Sequence, residues 1–323
     1  MSASDSEVLL SLLDCPDCLQ GRGLVPQLHE DQTYLACGIC HFFHPVRDEV
    51  AVLLPAARRS GGLRRDLDKT SDLGLERRPA RFVDPKALVY SYAARVEELG
   101  RVCGLDDRAV VVDVGCSTAT LSSWLRPEQL YIGFDISFDS LVFARRGSGQ
   151  LFVQADAERL PIKTGALPFF VSREVLEHLD NPLAGARELA RVGQSGVVVV
   201  PTLDFPFLYD PLNWALARLG RRAKFGIYGY GHKELADIAG WRALLEQAGF
   251  EVRRERPIGT GLCLNASDVA WHLLYSWRDF DALPRRAAPI ALARSLRPLN
   301  RAAHGVDSKL LRGAVSHAFA VTA

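Results

Sequence analysis

Two groups of residues have the types and spacing to do chemistry. The first is Asp113-Val114-Gly115-Cys116-Ser117-Thr118-Ala119, preceded by valines at 110–112 and followed, 22 positions after its acid, by Asp135. A β-branched run of this length reads as a buried parallel strand, and the small residues after it as a tight turn that admits a ligand close to the backbone. An acid after the next strand is where open α/β sheets take ribose hydroxyls. The loop is not G-x-G-x-x-G: it has one glycine, and an acid stands two residues before it, where a pyrophosphate would be repelled. A cationic, adenosine-containing ligand suits it better than a dinucleotide. The second group is Cys15-Pro16-Asp17-Cys18 and, after 18 intervening residues, Cys37-Gly38-Ile39-Cys40. Two such knuckles present four thiolates to a tetrahedral, structural Zn²⁺. His41 and His44 could substitute as ligands, but four cysteines already close a structural site, so both are expected as surface or packing residues.

The elements that must position these residues alternate. Strands are expected at 109–114, 130–135, 151–155, 167–172, 196–201 and 251–258, and helices at 119–126, 138–146, 181–191 and 233–248. A helix from residue 85 precedes them, and GAVSHAFAVTA at the end reads as one more strand. Such alternation implies an α/β fold, a mostly parallel sheet with helices on both faces. The organisation expected is a ribbon over 1–56, a charged linker over 57–84 and a catalytic domain over 85–323, with insertions at 204–232 and 263–312 that emerge where a lid would lie. With two separate units, a chelator would unfold the ribbon and spare the cofactor site.

Bulk properties narrow the class. Hydrophobic residues are 48% of 323, enough for a full core, and no run reaches the roughly 18 apolar residues of a membrane span. The first residues lack a basic and then apolar leader, so no secretory signal is expected. A formal charge of +1 argues against a surface built generally for nucleic acid. Four of the seven cysteines fall in the two pairs, which fits metal ligation in a reducing compartment, hence a cytoplasmic protein.

The first group resembles motif I of the class I S-adenosylmethionine-dependent methyltransferases, (D/E)-x-G-x-G-x-G, with Ser117 and Ala119 in place of two glycines. Further motifs stand in that family's order. Gln154-Ala155-Asp156-Ala157 ends the third strand. Ser172-Arg173-Glu174-Val175-Leu176-Glu177-His178-Leu179 resembles the S-x-E-V-L-E-H-L block of the ubiquinone and menaquinone biosynthesis type. Residues 241–252 resemble its L-L-E-x-A-G-F-x-V segment. The resemblance implies a Rossmann-like seven-stranded sheet whose final antiparallel strand inserts beside the sixth. It implies a cofactor site of Asp113, Gly115, Cys116, Ser117, Ala119, Asp135, Ile136, Asp156, Ala157 and Glu174, with Asp156 at the adenine amino group. His178 and His232 are the candidate catalytic residues, His178 as the base. In some resembling enzymes this block with a later histidine holds a divalent cation, which would place Mg²⁺ on Glu174, Glu177 and His178 with His232 as the distal partner.

Residues 12–55 resemble the small zinc ribbon that activates tRNA and protein methyltransferases, through C-P-x-C, L-x-C-x-x-C, Pro45-Val46-Arg47-Asp48 and Val52-Leu53-Leu54-Pro55. The aromatic residues of the insertions and the absence of an established RNA-binding motif make methylation of an oxygen or nitrogen of a small, lipid or sugar-like acceptor the expected activity. An RNA or protein acceptor docked by the ribbon, and a silent cofactor-binding scaffold, are the alternatives. The oligomeric state is left open.

Overall fold

A computed structural model describes residues 3–59, 104–148, 150–204, 211–221, 232–260 and 314–323. The helix expected from residue 85, most of the linker and the insertion at 263–312 lie outside the described residues, as do parts of the insertion at 204–232.

The strands are β1 (Leu24–His29), β2 (Gln32–Cys37), β3 (Phe43–Arg47), β4 (Val50–Val52), β5 (Val110–Val114), β6 (Leu130–Asp135), β7 (Leu151–Gln154), β8 (Phe170–Arg173), β9 (Ser195–Pro201), β10 (Glu251–Thr260) and β11 (Ala314–Thr322). The helices are α1 (Ala3–Leu12), α2 (Ala56–Arg59), α3 (Phe138–Ser148), α4 (Pro182–Val192), α5 (Pro211–Arg218) and α6 (Ile238–Gln247). Seven strands form the expected sheet, in the order β7-β6-β5-β8-β9-β11-β10. β5 to β9 run parallel, and β11 inserts antiparallel between β9 and β10.

Both faces are covered, which is why these strands read as continuous valine runs rather than alternating patterns. On β9, Val198 and Val200 pack with Leu189 of α4 and Trp241 of α6, while Val197 and Val199 belong to the opposite layer with Leu141 of α3. The chain leaves β5 toward β6 and β7 on one side and returns through β8 on the other. The switch point therefore lies between β5 and β8, where open α/β sheets bind ligands beyond the strand carboxyl ends.

The sheet does not stop at β7. β4 pairs with it in parallel, Ala51 opposite Val153 and Val52 opposite Gln154, and the Leu53 amide donates to the Gln154 carbonyl at 2.8 Å. Through β4 and β3 the ribbon strands carry the order on to eleven.

Two expected helices differ in length or kind. The stretch expected as a helix at 119–126 is a 3-10 turn, Thr120–Trp124. Ala119 is left-handed at its start, the Ser122 hydroxyl folds back onto the Ala119 carbonyl, and Pro127 pushes the residue before it out of helix. α6 begins at Ile238 instead of near 233, capped by Asp237, whose carboxylate accepts from the Gly240 amide at 2.7 Å. The skipped residues do other work: Lys233 and Glu234 both donate their amides to the Glu177 carbonyl. No described helix is long and apolar enough to cross a membrane.

Candidate active site

The loop after β5 is wound tightly. Gly115, Ser117 and Ala119 have φ of +80°, +49° and +56°, so every second residue lies in the left-handed region. Glycine enters that region freely, whereas a residue with a Cβ loses about 1–2 kcal/mol there. The structure thus gives a physical reason for small residues at all three positions. Gly115 has a second reason: a Cβ on it would come within 2.0 Å of Val175 Cγ2, so the loop after β5 rests directly on the turn after β8. The Gly115 and Cys116 amides donate to the Phe134 carbonyl. Cys116 is buried beneath the loop, where burial pushes its thiol well up.

Asp135, at the end of β6, closes the loop from the other side. One carboxylate oxygen accepts from the Ser117 amide at 2.7 Å and the other from the Ser137 amide at 2.8 Å. Burial pushes this carboxyl up and the amides oppose it. Ile136 follows, half-buried, its carbonyl accepting from the Gln154 side chain. Asp113 faces the sheet interior. It is 3% exposed and accepts a 2.6 Å hydrogen bond from the Tyr131 hydroxyl. Burial raises its carboxyl to about 6, against the Tyr131 hydroxyl and the Arg173 charge.

Asp156 lies just beyond β7, with half-buried Ala157 next to it. Its Oδ1 accepts from the Glu158 amide at 2.9 Å, and its Oδ2 from Arg58 Nε at 2.5 Å. The arginine comes from α2, at the start of the stretch expected to be a solvated linker. Loops after β5, β6, β7 and β8 thus meet along one edge, each carrying an acid or small residue named from the sequence.

Glu174, after β8, has φ +56°, a strained value for a residue with a side chain, and such strain gathers at functional sites. Its carboxylate accepts from the Ser316 hydroxyl of β11 at 2.6 Å. Of the residues expected around Mg²⁺, Glu174 is therefore turned away, while Glu177, His178 and the distal His232 come together, their ligand atoms all within 4.8 Å of one another. The two imidazole rings stand 5.0 Å apart, and His178 Nε2 is 3.8 Å from Glu177 Oε1. Glu177 is fully buried, neither carboxylate oxygen has a hydrogen-bond partner among the described residues, and burial with the nearby Glu174 charge pushes it well up. Two nitrogens and one carboxylate suit a transition metal better than Mg²⁺, which prefers oxygen.

The four cysteines of the knuckles also converge. Cys15 and Cys40 sulfurs are 3.5 Å apart and those of Cys18 and Cys37 3.6 Å, near the roughly 3.8 Å edge of a tetrahedron with 2.3 Å Zn–S bonds. All four are free thiols. Burial raises Cys37, but amide donors from Cys40 and Ile39 outweigh it and hold the thiol at about 7. This donor set fits zinc. His44 is buried with Nε2 3.5 Å from Cys15 Sγ, while His41 is exposed.

Sequence inspection missed three participants. Tyr131 carries a hydroxyl inside an otherwise apolar strand, a signal visible in LYIGFD. Ser316 reaches Glu174 across 142 residues, and Arg58 reaches Asp156 across 98, which no local pattern records.

Comparison with known proteins agrees with this geometry. The family described as "Methyltransferase domain" matches residues 112–200. No curated protein sequence matches the chain. Among solved structures, phosphoethanolamine N-methyltransferase 2 of Haemonchus contortus, in complex with phosphomonomethylethanolamine and S-adenosylhomocysteine, is 12% identical with a TM-score of 0.51, over 82% of this chain and 60% of that one. The YcgJ protein of Bacillus subtilis is 16% identical with a TM-score of 0.41, over 70% and 96%. A Haloferax volcanii complex containing the Trm112 methyltransferase activator is also 16% identical with a TM-score of 0.41, over 60% and 77%. Residues 112–200 are therefore a methyltransferase domain of the S-adenosylmethionine-dependent kind, and the sheet that carries them has the methyltransferase fold.

Proposed function

We propose that the chain methylates an oxygen or nitrogen of a small-molecule acceptor, with His178 and His232 receiving the acceptor's proton. The observation that carries this is the paired imidazoles, 5.0 Å apart just beyond β8 and backed by the Glu177 carboxyl. Bound S-adenosylmethionine supplies an electrophilic methyl on a sulfonium. The remaining work is positioning and proton removal, and imidazole is the side chain suited to neutral-pH proton transfer. Asp135 would take the ribose diol through lone pairs left free by the Ser117 and Ser137 amides, and the 115–119 loop would lie against the amino-acid part. Asp156 would meet the adenine amino group. Zn²⁺ on Cys15, Cys18, Cys37 and Cys40 would be structural.

Transfer of tritiated methyl groups to separated small-molecule, RNA and protein fractions of a cell extract tests the acceptor class. Label is expected in the small molecules, and label confined to RNA or protein would sink the proposal in favour of a ribbon-docked macromolecule. Absence of any transfer, with no cofactor binding, would leave the scaffold. His178→Ala is expected to lower kcat by about 10²–10⁴ with little change in cofactor affinity.

A second role for the same cluster is favoured by Glu177, fully buried with neither oxygen accepting a hydrogen bond among the described residues. Such a carboxyl is either neutral or holds a cation. Glu177, His178 and His232 would bind a first-row transition metal, whose chemistry is to acidify a coordinated acceptor hydroxyl. Metal analysis of Glu177→Gln beside the parent decides: equal content beyond the ribbon's zinc excludes the metal.

A further inference from the structure

Asp156 is 6% exposed, and a charged carboxylate so buried needs a cationic partner. Its partner is not on the catalytic sheet. Arg58 donates from Nε to Asp156 Oδ2 at 2.5 Å, and its guanidinium lies 3.4 Å from Glu158 and 3.7 Å from Asp180. Asp180 is shared with Lys233, at 2.6 Å. With Oδ1 held by the Glu158 amide, the arginine fixes the second oxygen and so the plane of the carboxylate.

Arg58 is itself held by the first zinc knuckle. The Ala56 amide, which opens α2, donates to the Asp17 carboxylate at 2.8 Å, and Asp17 lies between Cys15 and Cys18. The knuckle is also gripped from the far side. Arg159 donates from Nε to the Pro16 carbonyl at 2.5 Å and from Nη2 to the Asp17 carbonyl at 2.9 Å. The knuckle thus touches both the arginine and the loop whose acid the arginine orients.

We propose that Arg58 is a positioning residue that aims Asp156 at the cofactor's adenine amino group, so that recognition of the base is set by a side chain from α2, the segment tied to the first cysteine knuckle. This rests on Asp156 meeting that amino group. The alternative physics is competition, in which the guanidinium occupies an oxygen the adenine needs and must leave before the base binds.

Titration calorimetry of the full chain with S-adenosylhomocysteine and with S-inosylhomocysteine, which carries a 6-oxo group in place of the amino group, separates these cases. Arg58→Ala is expected to weaken S-adenosylhomocysteine about tenfold or more, the scale of one charge-assisted hydrogen bond, and to change the inosine analogue less than twofold. Asp17→Ala, which leaves the ion pair's own groups in place, is expected to act in the same direction more weakly. Arg58→Lys, retaining charge without the planar fork, should recover part of the discrimination. Equal loss for both ligands would reduce Arg58 to a structural tie and overturn the proposal. Tighter binding of S-adenosylhomocysteine by Arg58→Ala would overturn it in favour of competition. Asp156→Ala guards the underlying assignment: if it leaves the preference for the adenine ligand intact, the role of Asp156 fails and not merely that of Arg58.

Discussion

Asp113 shows how one side chain can set a pH dependence. Its carboxyl, ordinarily near 3.8, is raised to about 6 by burial within the sheet below the 115–119 loop. The folded chain therefore binds this proton more tightly than the unfolded chain. The contribution to stability is present below pH ~4 and is lost as pH rises to ~6, at most roughly 3 kcal/mol for a shift of this size. Asp113→Asn keeps an acceptor for the Tyr131 hydroxyl and removes the titration. Urea midpoints at pH 4 and pH 7 should show the variant gaining on the parent as pH rises, and parallel curves would refute the assignment. Ser117 offers a second test at this scale. Its exposed side chain sits at φ +49°, so Ser117→Gly relieves about 1–2 kcal/mol of strain against roughly 0.5–1 lost to chain entropy. A net gain of about 0.5–1 kcal/mol is expected by denaturant titration. Ala119→Gly should be close to neutral, because it also strips a methyl that is 4% exposed from the core.

Between elements, the loop after β5 and the turn after β8 behave as one packed unit. Gly115→Ala would drive a Cβ to 2.0 Å from Val175 Cγ2 at a backbone angle that disfavours any side chain. A loss of about 3 kcal/mol is expected from strain and overpacking together. Val175→Ala in the same chain should return part of it, and strict additivity of the two changes would show that the contact is not the cause. Such pairs mark where sequence inspection stops. The valine runs, the small-residue turn, the acids at strand ends and the cysteine spacing were legible because each obeys a local period or a ligand geometry. The edge pairing of β4 with β7, the reach of Ser316 to Glu174 and the shortening of the turn at Thr120–Trp124 were not. The first two join residues about a hundred or more apart, and the third turns on a left-handed alanine that propensity does not foresee.

At the scale of the molecule, the question is whether ribbon and sheet unfold apart. Leu13, Leu24, Leu35 and Leu53 of the N-terminal part share one core with Val112, Ile132 and Phe134 of the sheet. The Leu13–Ile162 bridge, the Lys163 side chain on the Ser11 carbonyl and the β4–β7 pairing add backbone ties. About 50 residues of ribbon bury too little alone to be stable without metal, and removing them would leave β7 as an open edge above an apolar face. Those couplings predict a single cooperative transition for the described parts. Heating with excess chelator should lower the melting temperature of the ribbon and of the Trp241-containing core together, followed by amide exchange at β2 and at β9. Separate melting, with β9 protected after β2 has exchanged, would favour the division into two units over a single cooperative one.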